Sequence, residues 1–148
     1  MGPILALKLH FTRAFDVTGR SRRSEFIWAT LFYGLILALV VFLIGTVGTH
    51  GQGIETGTLN LFGKVLIGVF GVLWIGSVVP WITLSIRRFH DMGQTGWLVA
   101  LFFGLYFIPI IGLLGAIGQF LWLFFGSGAA GTNAYGQDPR HEFRYEFN

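Results

Sequence analysis

Arg87-Arg88-Phe89-His90-Asp91-Met92-Gly93-Gln94-Thr95-Gly96-Trp97 interrupts a chain that is otherwise almost without charge. Residues 65–86 before it contain no Asp, Glu, Lys or Arg, and after Asp91 none occurs until Asp138. About 20 apolar residues suffice to cross a hydrocarbon core. The stretch is therefore expected to be a polar turn between hydrophobic spans. Composition points the same way: 53% of residues are apolar and 11% charged, against roughly 25% charged in soluble domains. The chain reads as an integral membrane protein, and its 148 residues leave no room for a separate soluble catalytic domain.

Working outward, residues 65–86 form one expected span, with Trp81 and the arginine pair at one end and Pro80 expected to kink it. A second uncharged run, residues 26–47, forms another. Trp28 and Tyr33 suit its interfacial end, and Gly34 with Ala38 makes a weak small-residue pair. Residues 48–63, rich in Gly and Thr, read as an exposed loop. Ahead of the spans, Ile4, Leu7, Phe11 and Phe15 recur at helical spacing over residues 3–17. This predicts an N-terminal interfacial helix. The cluster Gly19-Arg20-Ser21-Arg22-Arg23-Ser24-Glu25-Phe26 then offers Ser21 and Ser24 as helix caps. Its three arginines place the N-terminus on the cytoplasmic side.

Residues 97–125 carry no charge. As one straight helix they would be about 43 Å long, beyond a core of ~30 Å. Phe107-Ile108-Pro109-Ile110-Ile111-Gly112 offers a break. Two short helices joined there begin and end on one side of the membrane. Of the ten Lys and Arg residues, four crossings put nine inside and one outside, whereas three put seven inside and three outside. The positive-inside bias favours four, with a re-entrant hairpin as the alternative for the last pair. The expectation is an all-α, polytopic membrane helical bundle. It forms a single membrane domain over residues 1–148, with spans near 26–47, 65–86, 95–108 and 111–126 and a C-terminal tail over 127–148. Glycines and an Asp138-Pro139 step make the start of that tail a run of turns.

Three segments together resemble a bacterial inner-membrane family catalogued as domain of unknown function 805. They are the arginine cluster at 19–26, the stretch at 87–97, and Gly131-Thr132-Asn133-Ala134-Tyr135-Gly136-Gln137-Asp138-Pro139. The family's middle motif usually reads Arg-Arg-Leu-His-Asp-Thr-Gly-Arg-Ser-Gly-Trp, so this chain departs at Phe89, Met92, Gln94 and Thr95. The glutamine at 94 removes a cation. The resemblance implies a small multi-pass inner-membrane protein and supplies no mechanism.

With four crossings, all three polar segments and both termini emerge on the cytoplasmic face. Arg20, Arg22, Arg23, Arg87, Arg88, His90, Asp91, Asn133, Tyr135 and Asp138 then form one candidate ligand-binding patch. Such a basic interfacial patch suits an anionic phospholipid head group or a partner protein. The competing reading is structural, with Arg88 or Arg22 paired to Asp91, Glu25 or Asp138 to hold the tail. Other candidates for function are an accessory subunit and a homo-oligomeric transporter or channel component. A monomeric pore lacks ionisable groups within its spans, where Gln119 reads as interhelical glue. Nucleic-acid binding is not expected, since the basic residues flank apolar runs and no basic folded module remains. An enzyme is not expected either. No serine lies in a nucleophile elbow, His10, His50 and His141 lack metal-ligand spacing, there is no cysteine, and no cofactor or metal is implied.

Overall fold

The computed structural model describes residues 2–48 and 59–142. Most of the loop expected over 48–63, and the aromatic residues Phe143, Tyr145 and Phe147, lie outside the described residues. The described chain is all-helical: α1 (Pro3–Thr12), α2 (Arg23–Leu43, continued by a wider turn at Ile44–Gly48), α3 (Leu61–Asp91), α4 (Trp97–Leu105), α5 (Pro109–Phe125) and the short α6 (Pro139–Glu142). Helices α2 and α3 are long and apolar enough to cross a membrane, and α5 is apolar but shorter. The chain forms two compact units, one comprising Met1–Ala29 with Val79–Asn148 and the other Thr30–Val78.

Several boundaries differ from the expectation, and each difference has a local cause. The span placed at 65–86 belongs to a helix that begins at Leu61 and continues to Asp91, so Arg87, Arg88, His90 and Asp91 are helical. Only residues 92–96 form the turn. Cations suit the C-terminal end of a helix dipole, and Arg88 pairs with Asp91 one turn on at 2.7 Å. The helix stops where Gly93 takes φ +73°. The Gly93 N–H donates to His90 O at 3.0 Å and the Gln94 N–H to Phe89 O at 2.9 Å, a Schellman end that needs the left-handed residue. The polar interruption thus extends the helix and leaves a tight exit.

Helix α2 starts at Arg23, three residues before the expected span. Ser21 does not cap it. Its backbone N–H instead donates to Arg87 O at 3.1 Å, while Arg22 O accepts from Glu25 N at 3.1 Å. Helix α1 ends at Thr12, short of the predicted 17, and its buried face is Ala6 and His10. Ile4, Phe11 and Phe15 are exposed. The apolar spacing identified the outward face, and the small residue with the histidine made the packed one.

The 97–125 stretch is two helices, joined through Tyr106 and Ile108, with Pro109 opening α5. At 1.5 Å per residue α4 is about 14 Å long and α5 about 26 Å, so the two arms are unequal. Gln119 of α5 is buried and accepts a hydrogen bond from the Tyr106 hydroxyl, tying the hairpin together.

The apolar core lies in the first unit. Phe26, Ala29, Leu84, Phe89 and Leu123 cluster there, flanked by Trp81, Leu98 and Phe102. Phe26 packs on Trp81 with ring centroids 5.2 Å apart, and Phe89 meets Trp122 edge-on at 5.4 Å. This small core brings the start of α2, the end of α3 and the α4–α5 hairpin to one end of the unit.

Candidate functional site

At that end, Asp91 is the hub. Its carboxylate receives Arg88 at 2.7 Å and Arg20 at 3.0 Å, and all three side chains are almost completely buried. Arg20 comes from the sequence cluster before α2, about 70 residues away. Its guanidinium also donates to Gly131 O at 2.6 Å and Ala129 O at 2.5 Å, so the tail is wrapped around it. Arg88 donates to Leu123 O at 3.1 Å and to Gly126 O. These two acceptors belong to the last turn and the end of α5, whose terminal carbonyls have no partner within the helix. The arginines therefore satisfy a helix end and a tail that would otherwise leave carbonyls unpaired.

Close approach is built into the tail as well. The Ala129 N–H donates to Asp91 O at 2.7 Å. A Cβ on Gly128 would collide with the Asp91 carboxylate; glycine is required there by contact.

A second buried pair joins Arg87 to Glu25 at 3.3 Å, both essentially without solvent exposure. Among the described residues, Nε and Nη1 of Arg87 have no hydrogen-bond partner, so the pair is less completely satisfied than the Asp91 hub. His10 of α1 lies within its field. Burial, and then the Arg87 charge, lower the His10 pKa from 6.5 to about 4, which keeps the ring neutral at pH 7. Thr83 adds a further tie, donating from Oγ1 to Ala14 O at 2.8 Å.

The tail is fixed by its own side chains. Asn133 Nδ2 donates to His90 O at 2.8 Å, and the Tyr135 ring stacks on His90 with centroids 3.9 Å apart and planes 3° from parallel. Asp138 accepts from Arg140 Nε at 2.9 Å and from the Gly131 N–H at 3.3 Å. The Arg140 hydrogen bond, above all, holds the Asp138 carboxyl far below the usual carboxylate range. Arg22 donates to Pro139 O and Arg23 to Phe124 O at 2.9 Å, with its guanidinium 5.8 Å from the Phe125 ring centre.

All ten residues singled out in the sequence therefore fall within one unit, linked through the ends of α2, α3, α5 and the tail. His90, Asn133 and Tyr135 are half-buried, and the remaining seven divide into two groups. Arg20, Arg87, Arg88, Asp91 and Asp138 are buried and committed to protein partners, whereas Arg23 is exposed and Arg22 half-buried. Sequence reasoning missed Arg140, His10 and the glycine at 128. Arg140 follows the Asp-Pro step directly, a signal that was available.

Two clefts open in this unit. One, of about 330 Å³, is lined by Arg22, Arg23, Ser24, Asp91, Ser127, Gly128, Pro139 and Arg140. The other, of about 640 Å³, is apolar and lies beside His90 and Tyr135. Among the described residues, no group of three or more His, Asp or Glu side chains is placed to hold a metal ion.

Known proteins are similar to the chain in sequence. The chain is 30% identical to the inner membrane protein YhaH of Escherichia coli K12 over 129 residues, covering 84% of this chain and 87% of that one. It is also 30% identical to the E. coli inner membrane protein YhaI over 124 residues, covering 83% and 85%. No solved structure matches it. The family model described as "Protein of unknown function (DUF805)" matches residues 14–137, a range that contains the arginine cluster, the α3 end and the tail as far as Gln137, one residue short of Asp138. The chain is an all-helical membrane protein and belongs to the DUF805 family.

Proposed function

We propose that α2 and α3 cross the inner membrane, that the α4–α5 hairpin enters and leaves it on the cytoplasmic side so that both termini are in the cytoplasm, and that the arginine cleft holds the phosphate of an anionic phospholipid. One observation carries this reading. Arg22, Arg23 and Arg140 line the smaller cleft with Asp91, and Asp91 is already bound by Arg20 and Arg88, while Asp138 is bound by Arg140. Five arginines against two carboxylates leave an excess of three positive charges around a space sized for a head group. Guanidinium groups bind phosphate bidentately, and basic pockets at the cytoplasmic ends of spans suit anionic lipids.

The topology is supported by the end of α5. Leu123 O and Gly126 O accept from Arg88, and Phe124 O accepts from Arg23. The hairpin thus finishes beside the residues from which α2 starts and α3 ends. Binding is favoured over catalysis because Ser24 and Ser127 line the cleft and, among the described lining residues, no histidine accompanies them to act as a base.

Native mass spectrometry of the purified chain tests the site. Arg23→Gln combined with Arg140→Gln should retain severalfold less phosphatidylglycerol than wild type, with phosphatidylethanolamine retention unchanged. Equal retention of phosphatidylglycerol would leave the arginines as purely structural. Reporter fusions after residue 148 and within residues 50–60 test the topology: they should report opposite sides of the membrane, and the same side would refute it.

A further inference from the structure

The larger cleft shares no lining residue with the arginine cleft. Its walls are Val17, Ile82, Ile86, Trp97, Val99 and Phe103. No cation lines it, so the chemistry that suits the smaller cleft does not suit this one. Its volume of about 640 Å³ lies within the ~300–1,000 Å³ usual for small-molecule sites.

One polar group is fixed at its edge. His90 Nδ1 lies 3.2 Å from Gly19 O. A carbonyl oxygen only accepts, so Nδ1 carries the proton and, in the neutral ring, Nε2 is a bare acceptor. The Tyr135 stack at 3.9 Å holds the ring plane. Among the described residues Nε2 has no hydrogen-bond partner. Gly96 packs closely against it, since a Cβ there would be 3.0 Å from Nε2 and 2.7 Å from Ile86 Cγ2. Gly96, Ile86 and His90 all line the cleft. An acceptor held rigidly at the rim of an apolar space selects for a donor on an apolar body.

We propose that this cleft binds a neutral amphiphile, its apolar chain or ring lying between the ends of α3 and α4 and its hydroxyl donating to His90 Nε2. A long-chain alcohol and a quinol share that chemistry. Both lack the charge that the arginine cleft would recognise.

The test uses the full chain in phosphatidylcholine nanodiscs with ¹⁵N-labelled histidine, titrated with oleyl alcohol, with its methyl ether, and in a separate arm with a short-tailed benzoquinol. The His90 Nε2 resonance is identified by its loss in His90→Asn, which keeps a donor near the Nδ1 position and removes the second nitrogen. The resonance should shift with the alcohol or the quinol and stay in place with the ether. Wild type should prefer the hydroxyl compound over the ether by about three- to tenfold, the worth of one hydrogen bond, and His90→Asn should abolish the preference. Gly96→Ala presses a methyl against Nε2 and Ile86 Cγ2 and should weaken the hydroxyl compound in a protein that keeps the imidazole. A shift with the quinol alone assigns the source as quinol-like, and one with the alcohol alone as a lipid alcohol. Equal response to alcohol and ether, or an Nε2 resonance that no hydroxyl compound moves, would overturn the proposal.

Discussion

Among the described residues from Thr30 to Val78, only Gly63 is buried. The other unit buries Arg20, Glu25, Arg87, Arg88, Asp91 and Asp138 together with a handful of apolar side chains. Leu35, Val72 and Ile75 of the first region are each more than 70% exposed. In water this distribution would be inverted. In a bilayer it is coherent, because lipid tails are as apolar as leucine and place no premium on hiding such side chains. What must be satisfied internally are charges and helix-end carbonyls. Specificity in this protein thus resides in its polar end, while the apolar helices are matched to their surroundings.

The sharpest way to break the comparison is to remove the hub. Asp91→Asn leaves two buried guanidinium groups, Arg20 and Arg88, without their carboxylate. Removing one partner of a buried ion pair costs about 3–5 kcal/mol. Thermal unfolding in detergent, followed by size-exclusion fluorescence, should show the loss. Ile75→Ala, on the apolar helix, provides the control and should change stability by less than about 0.5 kcal/mol. Comparable losses for the two variants would show that the polar end is no more critical than the lipid-facing surface.

Much of this contrast was legible in the sequence, for a physical reason. Lipid-facing helices have no polar face, so residues 26–47 and 65–86 declare themselves by the absence of charge alone. The break before Pro109 followed equally from length and from the proline. The co-location of the ten polar residues was legible through the order of the three motifs. Their pairing was not. Asp91 could equally have met Arg22 or Arg88 on paper, and its choice of both Arg20 and Arg88 depends on where the tail carbonyls of Ala129 and Gly131 come to lie. The extension of α3 to Asp91 was hidden because charge normally signals the end of a span. Here the charges face protein partners, and the helix continues until Gly93 turns it.

Helix α1 was legible on one face only. Periodicity assigned Ile4, Leu7, Phe11 and Phe15 to the interfacial face, and Ile4, Phe11 and Phe15 are exposed; the packed face, Ala6 and His10, carried no such signal. This gives a milder probe of the same contrast, one that perturbs the polar end by pH without a large structural change. The His10 pKa is lowered from 6.5 to about 4, first by burial and then by the Arg87 charge. In the folded state the ring resists protonation, whereas in the unfolded chain it takes up a proton near pH 6.5. The unfolded state therefore binds more protons between pH 6.5 and 4, and stability falls as pH drops through that window. Asp16, held at about 2 chiefly by the Thr18 hydroxyl, stays ionised throughout and adds no fall there. Allowing for partial solvent screening, moving from pH 7.5 to pH 5 should cost wild type on the order of 1–2 kcal/mol through His10. His10→Gln, which cannot take up the proton, should lose correspondingly less over the same interval. Melting curves of the two proteins at both pH values measure the difference directly. Parallel losses would mean that α1 does not depend on a neutral His10, and that the polar end is held by the Asp91 hub alone.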